Sequence, residues 1–271
     1  MRTERTTLFT RFYWALADAW TVTQRDLLHW MHQPFQVIVN LLFPVMFVLL
    51  FGFLFGGSMT VPGGGDYREF LLPGMFAMTM VFGFEATFLA ITTDINRGVT
   101  DRFRSMPMAA SAILLGRSIA DLLNSVLSLI VLCVVGLLVG WRWHGSFGEA
   151  LLAMGLLLLL RFSLLWVGIY LGLVIRNTEA VSLVQILIWP ISFLSNIFAA
   201  AETMPGWLGA LVEWNPLSST VTAIRVLFHN PGADGASWVA HHSLWMALLW
   251  PLLLLVIFFP LSVRRYWRLS R

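Results

Sequence analysis

The sequence contains no lysine, because all 17 of its basic residues are arginine. A Walker-type phosphate loop needs a lysine to hold the terminal phosphates of ATP, so a P-loop ATPase within this chain is excluded. Charged residues are also scarce, at 11% of 271 residues, against about a quarter in a soluble domain. The single cysteine, Cys133, lies in an apolar run. An internal disulfide is therefore excluded, and no thiol chemistry is indicated.

What the sequence has in abundance is apolar residues. They make up 58% of the chain, and the mean hydropathy is +0.79. These values indicate a polytopic membrane protein with membrane lipids as its surroundings. An isoelectric point near 9.6 is also typical of nucleic-acid binding. Here, however, the arginines lie beside apolar segments, so we interpret them as topology determinants and expect no nucleic-acid partner.

Six apolar segments lie within residues 34–263, and together they form one predicted membrane domain. They predict an all-α integral membrane protein with six transmembrane helices, because a helix rises about 1.5 Å per residue and the bilayer core is about 30 Å thick. The predicted spans are residues 34–55, 70–93, 112–139, 150–175, 180–201 and 242–263, followed by a tail over 264–271. Pro190 falls in the middle of the fifth predicted span and predicts a kink there.

Residues 1–33 precede the first predicted span and are more polar than it. Phe9, Tyr13, Leu16 and Trp20 recur near a helical period, which predicts an amphipathic helix along the membrane surface. The alternative is a loose extension.

The distribution of arginines predicts which ends of the spans face the cytoplasm. With the N-terminus inside, three flanking arginines lie outside: Arg68, Arg142 and Arg225. Twelve lie inside: Arg2, Arg5, Arg11, Arg25, Arg97, Arg102, Arg104, Arg176, Arg264, Arg265, Arg268 and Arg271. By the positive-inside rule both termini are cytoplasmic, and so is the loop over residues 94–108.

The loop over residues 94–108, DINRGVTDRFRSMPM, has the pattern of a short surface helix that ends before Pro107. Val99, Phe103 and Met106 share one face. One interpretation is a polar loop that only fixes topology. The other is a docking element whose apolar stripe fits a groove in a partner while its charges fix the register.

The segment over residues 202–228 is too apolar for a solvated connector, yet its prolines and glycine interrupt any full span. Two short helices that enter the outer leaflet and return would satisfy both facts. The alternative is an amphipathic surface loop.

These motifs together resemble a known family. The runs DRFRSMPM (101–108) and GRSIAD (116–121), with the later MPGWL (204–208), NPLS (215–218) and AIR (223–225), are similar to permease subunits of type-2 ATP-binding-cassette exporters. Within that family the sequence is most similar to the daunorubicin/doxorubicin-resistance permeases. The resemblance implies a transport subunit of the cell membrane, in bacteria, that exports an amphipathic drug-like or lipid-like compound.

The resemblance also implies particular structural elements, partner subunits and residue roles. It implies an N-terminal elbow helix, a re-entrant segment before the last span, a second permease copy or paralogue, and a separate ATPase that binds ATP and Mg²⁺, so this chain needs no cofactor of its own. The residues that would couple it to the ATPase are Arg97, Asp101, Arg102, Phe103, Arg104, Met106 and Pro107. The residues that would line the substrate path are Phe84, Glu85, Phe88, Ser192, Ser195, Asn196 and Phe198.

Charges inside the spans need partners, because an arginine at the centre of a membrane helix costs about 2.5–3.5 kcal/mol. Arg161 falls near the middle of the fourth predicted span. Glu85 and Asp121 fall at comparable depths in neighbouring spans. We therefore expect Arg161 to pair with one of these carboxylates, either to fix helix packing or to contact substrate.

Other functions remain as alternatives. An export permease for a cell-envelope lipid or glycan fits the same pattern. A membrane-embedded enzyme is less consistent with the sequence, since no paired acids, metal cluster, metal-ligand set or nucleophile motif occurs at one membrane depth. An open channel would need polar periodicity along a span, which the apolar segments lack.

Overall fold

The computed structural model describes residues 20–21, 23–24, 34–56, 61, 64–96, 110–175, 177–233, 235 and 237–269. Across this part of the chain the regular structure is helical and contains no strand. The main helices are α1 Pro34–Leu54, α2 Tyr67–Asn96, α3 Ala110–Val139, α4 Phe147–Val174, α5 Thr178–Phe193, α6 Gly206–Trp214, α7 Pro216–Phe228, α8 Trp238–His241 and α9 Ser243–Leu269. The predicted N-terminal helix over 1–33 lies almost entirely outside the described residues.

Four helices of the described chain are long and apolar enough to cross a membrane, namely α2, α3, α4 and α9. They correspond to the second, third, fourth and sixth predicted spans. The first predicted span corresponds to α1, which has 21 residues.

The fifth predicted span differs from the structure. It reaches residue 201, whereas α5 ends at Phe193. Pro190 lies in the last turn of α5 instead of at its middle, and the backbone N–H of Leu194 closes the helix by donating to the Pro190 carbonyl. The chain then turns, because the carbonyls of Asn196 and Ile197 accept hydrogen bonds from Arg225 and so leave the helical ladder.

Two other boundaries also move. α2 continues to Asn96 and so includes the start of the predicted loop over 94–108. α9 continues to Leu269, through most of the tail predicted over 264–271. Arginine is a good helix former, and no Gly or Pro interrupts this tail, so the helix has no local reason to stop at its basic residues.

The start of α4 is fixed by a capping box. The Ser146 side chain accepts a hydrogen bond from the Glu149 backbone N–H, and the Glu149 carboxylate accepts one from the Ser146 backbone N–H. These two bonds satisfy donors that the first turn of a helix leaves unpaired.

α4 lies at the centre of the helix bundle and packs against α2, α7 and α9. Gly168 and Gly172 allow the close approach of α2. A Cβ at Gly172 would lie 2.6 Å from Ile91 Cγ2, and one at Gly168 would lie 3.1 Å from the Phe84 carbonyl oxygen. Small residues at a membrane helix interface have this role, because they let the backbones come together.

α6 and α7 are the two short helices that the sequence predicts over residues 202–228. α6 presents Trp207, Leu211 and Trp214 outward on one face, with exposures between 57% and 70%, while Gly209 and Val212 are buried on the other. Asn215 joins the two helices and caps α7 by accepting from the Leu217 N–H.

Candidate functional site

A buried polar centre joins α2, α3 and α4 near the middle of the bundle. Arg161 of α4, which is 3% exposed, donates from Nε to Ser125 Oγ at 3.0 Å and from Nη2 to Thr87 Oγ1 at 3.0 Å. Thr87 in turn donates to Asp121 Oδ2 at 2.8 Å, and the same carboxylate oxygen lies 3.8 Å from Arg161 Nη2. The hydroxyl of Thr87 thus connects the Arg161 cation to the Asp121 carboxylate, whereas the hydroxyl of Ser125 donates to the Asp121 backbone carbonyl.

Of the two carboxylates considered for Arg161, the structure brings Asp121 to it. Glu85 is half-buried on α2 and makes no ion pair within 4 Å among the described residues. The backbone of α2 also approaches the arginine closely, since a Cβ at Gly83 would lie 2.7 Å from Arg161 Cζ. The polar centre therefore needs a glycine on one helix as well as charges on the other two.

A second ion pair joins the two helices that flank the loop predicted to dock a partner. Asp94 of α2 pairs with Arg117 of α3. Thr23, in the described part of the N-terminal segment, is buried and donates to the Gly116 carbonyl at 2.8 Å. The helices on either side of the loop and the described part of the N-terminal segment therefore meet at one end of the bundle.

The residues predicted to contact an ATPase lie outside the described residues: Arg97, Asp101, Arg102, Phe103, Arg104, Met106 and Pro107. Their roles stay predictions.

The residues predicted to line a substrate path are not brought to one surface. Phe84 and Phe88 are buried against α4, where their backbone carbonyls face Gly168 and Gly172. Ser192 and Ser195 are buried at the end of α5, and Asn196 and Phe198 are partly exposed beyond it. Their predicted contacts with substrate stay predictions.

An aromatic cluster between α1, α2 and α5 was missed by sequence reasoning. Trp189 of α5 is at its centre, with ring centroids 4.8 Å from Phe82 and 5.5 Å from Phe43. Its other members are Phe47, Phe51, Phe193 and Phe198. The spacing Phe43, Phe47, Phe51 is a signal for one helical face, but it merges with the general abundance of phenylalanine in this sequence.

Arg225 was counted as an outer flanking arginine, but it is fully buried in α7. Its Nε and Nη2 donate to the Phe70 carbonyl at 3.0 and 2.8 Å, and its guanidinium carbon lies 3.6 Å from the centre of the Phe70 ring. The signal in the sequence was its position within the otherwise uncharged run 216–228. An arginine there either faces solvent or is held by backbone carbonyls, and the structure has the second arrangement.

Long apolar helices, a charged centre shared by three of them and a partly exposed aromatic face are the features of a polytopic helical membrane protein. The sequence model of the ABC-2 type transporter family matches residues 17–229. The chain belongs to this family and is a multi-pass membrane permease.

Relatives support this membership along nearly the whole chain. The daunorubicin resistance ABC transporter permease protein DrrB1 of Streptomyces coeruleorubidus is 36% identical over 93% of this chain and 87% of its own length. A protein described as the transport permease ycf38, from Cyanophora paradoxa, is 23% identical over 89% of this chain and 82% of its own length. One described as a doxorubicin resistance ABC transporter permease, DrrC, from Mycobacterium tuberculosis, is 21% identical over 75% and 74%. The bacterial relatives associate the chain with the plasma membrane.

Proposed function

We propose that this chain is the membrane subunit of an ATP-driven exporter that moves an amphipathic drug-like or lipid-like compound out of the cell. The observation that carries the proposal is the 36% identity to a daunorubicin resistance permease over 93% of the chain. ATP and Mg²⁺ would be bound by a separate ATPase subunit, because this chain lacks the lysine of a phosphate loop.

The proposed topology has six spans and cytoplasmic termini, with an N-terminal elbow helix and α6–α7 as the re-entrant segment. The predominance of arginine at the proposed inner ends supports this orientation. α5 is the shortest of the helices proposed to span the membrane, since its 16 residues extend only about 24 Å. The chain between Phe193 and Ala201 would then complete the crossing.

The loop over residues 94–108 is the proposed contact with the ATPase. Phe103 and Met106 would insert into a groove of the ATPase, while Asp101, Arg102 and Arg104 would form its polar contacts. The ion pair between Asp94 and Arg117 supports this role, because it joins the end of α2, where the loop begins, to α3. A displacement of the loop would then move the two helices that share the Arg161 centre.

The proposed substrate path lies between two permease copies, along α5 and the aromatic cluster. α5 supports this, because Leu183, Ile186, Leu187 and Ile191 are each at least 57% exposed. Flat aromatic surfaces with few polar groups suit an amphipathic cargo.

The test of this function is co-purification in mild detergent with the ATPase encoded beside this gene, followed by ATPase assays with and without an anthracycline. We expect a stable complex whose hydrolysis rate changes with the drug. A complex without a drug response would favour a lipid or glycan as cargo. Failure to form any complex would contradict the proposal.

A loop variant tests the coupling role separately. Phe103→Ala combined with Met106→Ala should leave the protein inserted but lower drug-dependent transport at least about tenfold, because the apolar contact with the ATPase is lost. Phe147→Ala is the matched control, since Phe147 is 79% exposed at the opposite end of the bundle. Unchanged transport in the double variant would refute this role for the loop.

A further inference from the structure

Glu85 carries the only charge in the sequence between Glu69, near the start of α2, and Asp94, near its end. It precedes Asn96, the last residue of α2, by 11 positions, which correspond to about 16 Å of helix rise. A carboxylate at this depth in a bilayer is costly, and such residues usually face a partner or a pathway for a charged molecule. The partner of Glu85 is therefore a question about function.

The buried cation of the bundle does not neutralise Glu85. Arg161 reaches α2 at Gly83 and Thr87, which lie two positions before and two positions after Glu85. Two positions correspond to a rotation of about 200° around a helix, so Glu85 lies on the opposite side of α2. It is half-buried, and it makes no hydrogen bond or ion pair with any residue that the structure describes.

Aromatic rings lie one turn away on the same side of α2. Phe82 precedes Glu85 by three positions, and its ring centroid lies 4.8 Å from that of Trp189 and 5.7 Å from that of Phe43. Leu89, one turn beyond Glu85, is 44% exposed. The carboxylate therefore lies beside a partly open apolar surface with aromatic faces, and such faces attract cations.

The cation that complements Glu85 has to come from another kind of molecule. Of the described basic side chains, Arg161 and Arg225 are buried, Arg117 is ion-paired, and the others lie at the ends of the bundle. A second copy with the same described residues therefore presents no basic group at the depth of Glu85. The ammonium of a lipid headgroup stays at the interface, about 15 Å from the centre of a core about 30 Å thick.

We infer that Glu85 selects the charge of the cargo, so that the proposed path binds a lipophilic organic cation. The positive group pairs with the carboxylate, while the apolar body packs on the rings of Phe82 and Trp189. A low-dielectric surrounding strengthens this pair, whereas an uncharged cargo would leave the carboxylate without a partner. The role of this cation as cargo rests on the proposed export function, but its binding needs no ATPase.

The test is equilibrium dialysis of the full-length protein in phosphatidylcholine nanodiscs, with binding to empty nanodiscs subtracted. The probes are tetraphenylphosphonium, a permanent cation, and tetraphenylborate, an anion of the same shape. We expect saturable binding of the cation to wild type. Glu85→Gln should weaken it at least about tenfold, because the paired charge is lost, and should not weaken binding of the anion. Glu85→Asp keeps the charge and should lose less than Glu85→Gln.

Two controls separate charge selection from loss of fold. Glu213→Gln removes a carboxylate that is also half-buried but lies on α6, which packs chiefly against α7 and residues 201–203, so it should leave binding of both ions unchanged. Glu85→Gln should leave the unfolding temperature unchanged, because Glu85 has no partner in the described chain.

The outcomes also separate this site from the proposed function. Unchanged cation binding in Glu85→Gln, or an equal loss of both ions, would overturn the cation site. Because the dialysis contains no ATPase, charge-selective binding by a chain that forms no ATPase complex would contradict only the proposed function. A drug-responsive ATPase complex without charge-selective binding would contradict only the role of Glu85.

Discussion

Arg161 keeps its charge inside the bundle because three side chains from two neighbouring helices contact its guanidinium. Two of them are hydroxyls, and the third is the carboxylate of Asp121. Removing the carboxylate would leave the buried cation without an anion. Loss of one partner of a buried ion pair destabilises a protein far more than replacement of both partners by apolar residues.

At this scale we predict that Asp121→Leu destabilises the protein by about 3 kcal/mol. Adding Arg161→Met should restore at least half of that loss, because both charges are then absent. The measurement is thermal unfolding in detergent, followed by tryptophan fluorescence. Glu85→Gln is the matched control, since this carboxylate on α2 makes no ion pair with Arg161. If the double variant is less stable than Asp121→Leu, then Asp121 is not the main partner of Arg161.

Single residues were predictable where the sequence offered few choices. Only a few charges lie within the apolar segments, so the amino-acid sequence alone narrows the partner of Arg161 to Glu85 or Asp121. The choice between them depends on how α3 is rotated toward α4, which no local pattern encodes. The burial of Arg225 was not predictable, because its carbonyl partners, Phe70 and Asn196, are distant in sequence.

Among the helices, the contact between α2 and α4 depends on close backbone approach at Gly172. We predict that Gly172→Ala lowers stability by about 1–3 kcal/mol, because the added Cβ meets Ile91 Cβ at 2.7 Å and the Phe88 carbonyl oxygen at 3.2 Å. Gly155→Ala in the same helix is the control: its Cβ would have no neighbour within 4 Å, so it should be neutral or slightly stabilising. Both are measured by thermal unfolding. Equal effects would mean that helix propensity, and not packing, decides.

Local chemistry sets the start of α4. The predicted fourth span begins at residue 150, whereas α4 begins at Phe147, between Ser146 and Glu149, whose spacing of three positions is the sequence signal of a capping box. The end of α5 was not predictable, because the apolar run continues past Phe193. The chain leaves the helix where the carbonyls of Asn196 and Ile197 accept hydrogen bonds from Arg225, which is distant in sequence. The apolar pattern thus predicts which segments are helices, whereas long-range hydrogen bonds determine where α5 ends.

For the whole molecule, the described helices share one bundle, so the orientation of one loop fixes that of all the others. The turn between α3 and α4 contains the exposed Arg142, and the end of α9 contains the exposed Arg268. The proposed topology assigns these two positions to opposite sides of the membrane.

Cysteine labelling distinguishes the two orientations. In a Cys133→Ser background, Arg142→Cys should react with a membrane-impermeant maleimide in intact cells, because its site faces outward. Arg268→Cys should react only after the membrane is permeabilised. The Cys133→Ser parent contains no cysteine, so it serves as the control for background reaction. The reversed pattern would put the loop over residues 94–108 outside the cell, where no cytoplasmic ATPase could bind it, and the proposed coupling would fail while the helix packing around Arg161 would stand.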